Sequence, residues 1–234
     1  MKTGIMQPYF FPYIGYFQLI NYVDKFVIYD NIEYTKKGWI NRNRFLKKDT
    51  AAFFSIPLKK DSDFLTINQR YLSLTWNDDK IKILNQIKND YKKAPYFNDT
   101  INLFEMCLNT SKVNLFDFIY NSLVTICNYL DIKTEIIISS SLQYSIELKS
   151  TEKVIAICKE LNTLEYLNSE GGMALYDKNY FAKSNLNLKF LKSKNIEYKQ
   201  FENEFIPFLS ILDILMFNPK EKVLDMINNG FELL

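Results

Sequence analysis

Arg42 and Arg44 stand two residues apart in the run Tyr34-Thr35-Lys36-Lys37-Gly38-Trp39-Ile40-Asn41-Arg42-Asn43-Arg44, and they are two of only three arginines in the chain. The arginine fork suits bidentate recognition of phosphate or carboxylate. On an extended segment, residues two apart share a face. Trp39 offers a stacking surface for a base or a sugar, and Asn41 and Asn43 can read hydroxyls or amides. Tyr34 and Lys37 complete this group of candidate binding residues. A solvated loop laced with salt bridges would use the same residue types.

A second group precedes it. Gln7-Pro8-Tyr9-Phe10-Phe11-Pro12-Tyr13-Ile14-Gly15-Tyr16 reads as strand, aromatic turn, glycine, helix. Its candidates are Gln7, Tyr9, Tyr13, Gly15 and Tyr16. A glycine at a helix start permits close backbone approach, and the free N–H groups there favour an anion. Tyr13-Ile14-Gly15-Tyr16 takes the place of the His-x-Gly-His signature of nucleotidylyltransferase-like α/β proteins, with both histidines replaced by tyrosine. The same aromatic residues would equally serve packing under a sheet. A third group, Asn168, Ser169, Gly171, Gly172 and Tyr176, follows an apolar strand. Paired glycines there can cradle a ligand with backbone N–H groups, and a tight turn accounts for them as well.

The chain has no histidine. That removes Ser-His-Asp and Cys-His catalysis, histidine metal sites and imidazole acid/base work together. Asp30 and Asp213 are the candidate catalytic carboxylates. Asp30 closes an apolar strand, where burial and neighbours can raise a carboxyl pKa toward the working range. Asp213 interrupts the apolar run Leu209-Ser210-Ile211-Leu212-Asp213-Ile214-Leu215-Met216. A structural role, paired with an Arg or capping a neighbour, fits Asp213 as well. The three cysteines lie in apolar helical runs without a C-x-x-C pair, which points to inert core thiols and to no metal site.

The elements that must position these groups alternate. Strands are expected at Thr3–Gln7, Phe26–Tyr29, Phe53–Leu58, Glu135–Ile138, Leu164–Leu167 and Leu186–Leu191. Helices are expected from near Gly15, and over Asp78–Tyr91, Asn98–Asn109, Leu115–Leu130 and Thr151–Leu161, with a last one opened by Asn218-Pro219 and stopped by Gly230. This pattern predicts an α/β layered, Rossmann-like fold with a mainly parallel sheet flanked by helices, and a helical insertion around residues 77–130. The whole chain, 1–234, reads as a single domain. In such sheets ligands bind beyond the carboxyl ends of the strands. The three candidate loops, 7–15, 30–44 and 168–176, all follow expected strands.

Net charge is +2, from 29 basic and 27 acidic residues, which argues against a nucleic-acid partner. No apolar run is long enough to span a bilayer, and no secretory signal opens the chain. A cytoplasmic protein without stable membrane insertion is expected. A homodimer is compatible with the sequence.

At these residues the chain resembles the WbqC-like protein family. The likeness spans nearly the full length. It rests on the opening Gln7-to-Ile20 string, Tyr29-Asp30, Trp39 to Arg44, Tyr91 to Phe97, Asn168 to Tyr176 and Phe205 to Asp213. The resemblance implies a bacterial protein encoded with genes for O-antigen or related surface polysaccharides. It also implies transfer of a glycyl or similar aminoacyl or acyl group to an amino sugar. The expected partner is a nucleotide-linked amino sugar. The donor is left open between CoA, a carrier-protein thioester and an ATP-activated amino acid, so an acyl carrier is a compatible partner. No tightly bound cofactor is expected. An ATP-dependent ligase or nucleotidylyltransferase-like enzyme and a non-catalytic sugar-nucleotide binder are the alternatives.

Overall fold

The structure is a computed structural model that describes residues 1–145, 147–202 and 204–234. Its eight strands are β1 (Lys2–Met6), β2 (Lys25–Ile28), β3 (Arg42–Lys47), β4 (Thr50–Ser55), β5 (Glu135–Ile138), β6 (Glu165–Ser169), β7 (Asn187–Ser193) and β8 (Phe231–Leu233). Six of them form one sheet in the order β5-β2-β1-β6-β7-β8. All neighbours are parallel except β7 and β8. The mixed α/β layering with a mainly parallel sheet is the Rossmann-like arrangement expected from the sequence.

Both faces of this sheet are covered, which is why β2 carries the unbroken apolar run Phe26-Val27-Ile28 and does not alternate. Ile5 and Val27 are register partners and point to one face. There they join Val154 and Ile157 of α5 (Ser150–Glu160), Phe181 of α6 (Lys178–Ala182), and Tyr166, Leu188 and Phe190. Phe26, Ile28 and Leu167 face the other core, which is larger. It is closed by α1 (Ile14–Tyr22), α7 (Ile211–Phe217) and α8 (Lys220–Asn229), and by three helices between β4 and β5. Those three, α2 (Trp76–Tyr91), α3 (Phe97–Leu108) and α4 (Leu115–Tyr129), are the expected helical insertion.

Local chemistry sets the boundaries. In α2 the buried Ile83, Ile87 and Tyr91 recur at helical spacing on one face. Helix α4 starts at Asn114, whose Oδ1 accepts from the backbone N–H groups of Phe116 at 2.9 Å and Asp117 at 3.3 Å. Helix α1 crosses β1 closely at Gly4, where a Cβ would lie 3.1 Å from the Phe26 ring and 3.4 Å from Leu19.

Three expectations are corrected. The segment from Asp30 to Arg44 is not loop throughout. Arg42–Lys47 is a strand, paired antiparallel with Thr50–Ser55 outside the main sheet, with Arg44 opposite Phe53 and Phe45 opposite Ala52. Alternation explains it: Asn43 and Phe45 are buried while Arg42 and Arg44 are half-buried on the other side. The third expected strand accordingly ends at Ser55, before Pro57. Asn218 does not cap α8; its Nδ2 donates to the Ile214 carbonyl at 3.0 Å and closes α7 instead. The short α6 and β8 gave no signal in the sequence.

Candidate functional site

Strand β1 leads into β2 on one side, while β6 leads into β7 on the other. The carboxyl ends of β1 and β6 therefore form the switch point of the sheet, where open α/β sheets hold their ligands. A cavity of about 460 Å³ opens there. This falls in the size range of small-molecule sites, roughly 300–1,000 Å³.

All three candidate loops reach it. The aromatic turn contributes Tyr9, Tyr13, Gly15 and Tyr16, the hairpin and its approach contribute Trp39, Asn43 and Arg44, and the loop after β6 contributes Ser169 and Gly171. The other candidates lie outside. Gln7, Tyr34, Lys37, Asn41, Arg42, Asn168, Gly172, Tyr176, Asp30 and Asp213 do not line this cavity.

Arg42 and Arg44 do share a face, but they do different things. The Arg42 Nε donates to the Gly38 carbonyl at 3.1 Å and its Nη2 to the Lys37 carbonyl at 2.6 Å, so Arg42 braces the preceding loop. Its guanidinium lies 4.8 Å from the Phe53 ring centroid. Phe53 stacks on Trp39 at 6.1 Å and 25°. Arg44 lies 5.6 Å over the other ring, that of Trp39. Cation, ring, ring and cation thus form one stack. Arg44 Nη2 donates to the Phe208 carbonyl at 2.8 Å. Its Nε is buried and has no hydrogen-bond partner among the described residues. A buried donor of this kind costs free energy until something accepts from it.

The backbone around the cavity is strained where the aromatic residues meet. Phe11 and Phe208 hold φ of 47° and 58°, in the left-handed region that non-glycine residues avoid. Asn43 secures the first of these bends, donating from Nδ2 to the carbonyls of Phe10 at 3.1 Å and Phe11 at 2.9 Å. The second is tied down by the N–H of Ser210 to the Arg44 carbonyl and that of Ile211 to the Pro12 carbonyl, both at 2.9 Å. Tyr13 packs on Phe208 at 5.6 Å. The close approach that Gly15 permits is to the protein itself, because a Cβ there would meet Ser193 Oγ at 2.5 Å.

Glu170 also lines the cavity. It is exposed and makes no side-chain hydrogen bond or ion pair among the described residues. The Tyr13 hydroxyl is pushed above its ordinary pKa first by burial and then by the Glu170 charge, which places the two groups within electrostatic reach. Sequence reasoning named the string that holds Glu170 but not the residue itself. It also missed Met6, Pro12, Leu19, Leu191, Ser193 and Phe208. Ser193 was missed because β7 runs two residues past the expected strand end.

The two aspartates are held elsewhere. Asp30 Oδ1 accepts from Ser139 Oγ at 2.8 Å and the Ser140 N–H at 2.9 Å, and its Oδ2 accepts from Asn68 Nδ2 at 2.8 Å. It ties the ends of β2 and β5 to the segment before α2. Asp213 is fully buried and accepts from Tyr91 Oη at 2.6 Å, Tyr198 Oη at 2.6 Å and Gln200 Nε2 at 2.7 Å. Burial raises its pKa to about 6, against the opposing pull of these three donors. The partners are hydroxyls and an amide, not an Arg. Asn41, Tyr34 and Asn168 are likewise engaged internally, with Tyr34 Oη donating to Asn41 Oδ1 at 2.7 Å and Asn168 Nδ2 to Tyr166 Oη at 2.6 Å. Burial pushes each of the three cysteine thiols up to about 12, so all three are inert at neutral pH.

A sequence profile of the WbqC-like protein family matches residues 7–225. The chain belongs to the WbqC-like protein family. The match takes in every loop that lines the cavity. The WbqC-like chain is also 28% identical over 218 residues to the uncharacterized protein Rv1507c of Mycobacterium tuberculosis, covering 92% of each chain. No solved structure matches it. No helix among the described residues of this WbqC-like protein is long and apolar enough to cross a membrane.

Proposed function

We propose that this WbqC-like protein is an N-acyl or N-aminoacyl transferase that acts on a nucleotide-linked amino sugar in the switch-point cavity. One observation carries the reading: Arg44, with a buried and unpartnered Nε, and Glu170, with a free carboxylate, line the same otherwise aromatic and apolar cavity. A guanidinium with an unused donor suits a phosphate oxygen. Phe208 is 61% exposed, so its ring is accessible to a base or a sugar. The role in O-antigen or related surface-polysaccharide assembly that the resemblance implied, and a cytoplasmic place of action, belong to this proposal.

The chemistry needs no histidine. The amine of the sugar attacks the carbonyl carbon of a thioester, a C–N bond forms, and the C–S bond breaks. The amine loses one proton and the departing thiolate gains one. Glu170 is the group in the cavity able to relay it, which moves the acid/base assignment from Asp30 and Asp213 to Glu170. The remaining contribution of the protein is to hold the two reactants in line.

The test is incubation with amino-sugar nucleotides and acyl thioesters, or with glycine and ATP, followed by mass spectrometry of the sugar. A mass increment without ATP supports the transferase, and an increment only with ATP moves the assignment to a ligase. Tight binding without product would leave a non-catalytic binder and overturn the reading.

A further inference from the structure

Asp213 does not line the cavity, yet two segments that do line it lead back to its carboxylate. The first is β3. The Leu46 N–H donates to Tyr91 Oη at 2.7 Å, and Tyr91 Oη donates to Asp213 Oδ1 at 2.6 Å. Leu46 stands two residues beyond Arg44 on the same strand. The second is the segment 194–210 between β7 and α7, which carries Phe208. Tyr198 Oη and Gln200 Nε2 both donate to Asp213 Oδ2, at 2.6 Å and 2.7 Å. The Gln200 amide also brackets Ile206, donating to its carbonyl at 3.1 Å and accepting from its N–H at 2.7 Å. Phe208 follows two residues later. This segment has few other ties. Among the described residues, no backbone-to-backbone hydrogen bond involves 195–209. Its hydrogen bonds to the rest of the protein, among those residues, are the two on Asp213 and that of Arg44 Nη2 to the Phe208 carbonyl. Packing adds Phe201, edge-on against Phe217 of α7 at 4.8 Å.

We propose that Asp213 is a positioning residue for the cavity: its carboxylate fixes the strand that carries Arg44 and the segment that carries Phe208 relative to each other. The proposal rests on reading the cavity as the ligand site, and it names what holds that site in shape. A carboxylate can accept from all three donors at once, whereas the oxygen of an amide has two lone pairs. Buried networks of this kind act as units. Loosening either arm is therefore felt in the other, although Tyr91 and the segment 194–210 share no hydrogen bond except through Asp213.

The experiment is amide hydrogen exchange, read by NMR on the full chain, for the wild type, Tyr91→Phe and Tyr198→Phe. Each variant removes one hydroxyl from one arm. The reporters are the Leu46 N–H, bonded to Tyr91, and the Ile206 N–H, bonded to Gln200. Tyr198→Phe should speed exchange at Leu46, and Tyr91→Phe should speed exchange at Ile206, each by about fivefold, the factor that loss of one net hydrogen bond gives. The amides of β1 and β6 should keep their rates. Asp213→Asn should speed both reporters together. A response only in the arm that was cut, or an equal rise in β1 and β6, would overturn the positioning role. In the transferase assay the two tyrosine variants should raise the KM for the sugar nucleotide and leave kcat unchanged, and an unchanged KM would also overturn it. Exchange needs no substrate, so the two readings fail separately. Linked arms with no product from any amino-sugar nucleotide remove the transferase alone, and product with unlinked arms removes the role of Asp213 alone.

Discussion

Arg44 lies 5.6 Å over the ring of Trp39, and both residues line the switch-point cavity. The ring fixes the guanidinium plane from one side, and the Phe208 carbonyl anchors Nη2 from the end. Its Nε is buried and makes no hydrogen bond among the described residues. Arg42 is the contrasting case, because its Nε and Nη2 donate to the carbonyls of Gly38 and Lys37.

Arg44→Ala is therefore expected to weaken nucleotide-sugar binding by roughly tenfold to a hundredfold, as loss of a charge-assisted hydrogen bond worth about 1.5–3 kcal/mol implies. Arg42→Ala should cost far less in affinity. Calorimetric Kd values for both variants check this, and equal losses would contradict the division of labour.

Glu170→Gln keeps shape and removes the proton acceptor. We expect kcat to fall by about 10²-fold or more, within the range of general acid/base catalysis, with KM for the sugar nearly unchanged. Steady-state kinetics decide it. A loss confined to KM would make Glu170 a binding residue.

Phe208 stands at φ 58° and is 61% exposed. A left-handed backbone costs a non-glycine residue about 1–2 kcal/mol. Phe208→Gly is expected to be more stable than Phe208→Ala by about 1 kcal/mol in urea unfolding, while both lose affinity for the ligand. Equal stabilities would show that the backbone there carries no strain.

Much of this site was legible in the sequence because strand ends and loop chemistry are local. The apolar runs of β1 and β6, each leading into a polar, glycine-marked loop, were enough to place the cavity. Which arginine faces it was not legible. Arg42 and Arg44 have the same spacing and the same side of the strand, and they are told apart only by the carbonyls of Lys37, Gly38 and Phe208. Asp30 and Asp213 read as candidates because a charge in an apolar run is anomalous. The donors that resolve the anomaly (Ser139, Asn68, Tyr91, Tyr198 and Gln200) come from distant segments. Phe208 and Ser193 reach the cavity by long-range packing that no periodicity encodes.

Asp213 gives a pH dependence of known sign. Its pKa is raised from 3.8 to about 6, so the folded state holds this proton more tightly than the unfolded chain. The unfolded state therefore binds fewer protons between about pH 4 and 6, and stability falls as pH rises through that window, by about 3 kcal/mol at most. Asp213→Asn cannot titrate. The stability difference between the variant and the wild type should shift in favour of the variant between pH 4 and 7. Parallel urea midpoints across that range would contradict the raised pKa.

The central claim is that the crevice between the ends of β1 and β6 is where the substrate sits. A crystal structure of the protein with a nucleotide-linked amino sugar tests it most directly. The account predicts a phosphate oxygen on the Arg44 guanidinium, a ring against Phe208, and the amine beside Glu170. A ligand bound elsewhere, with this cavity empty, would contradict it.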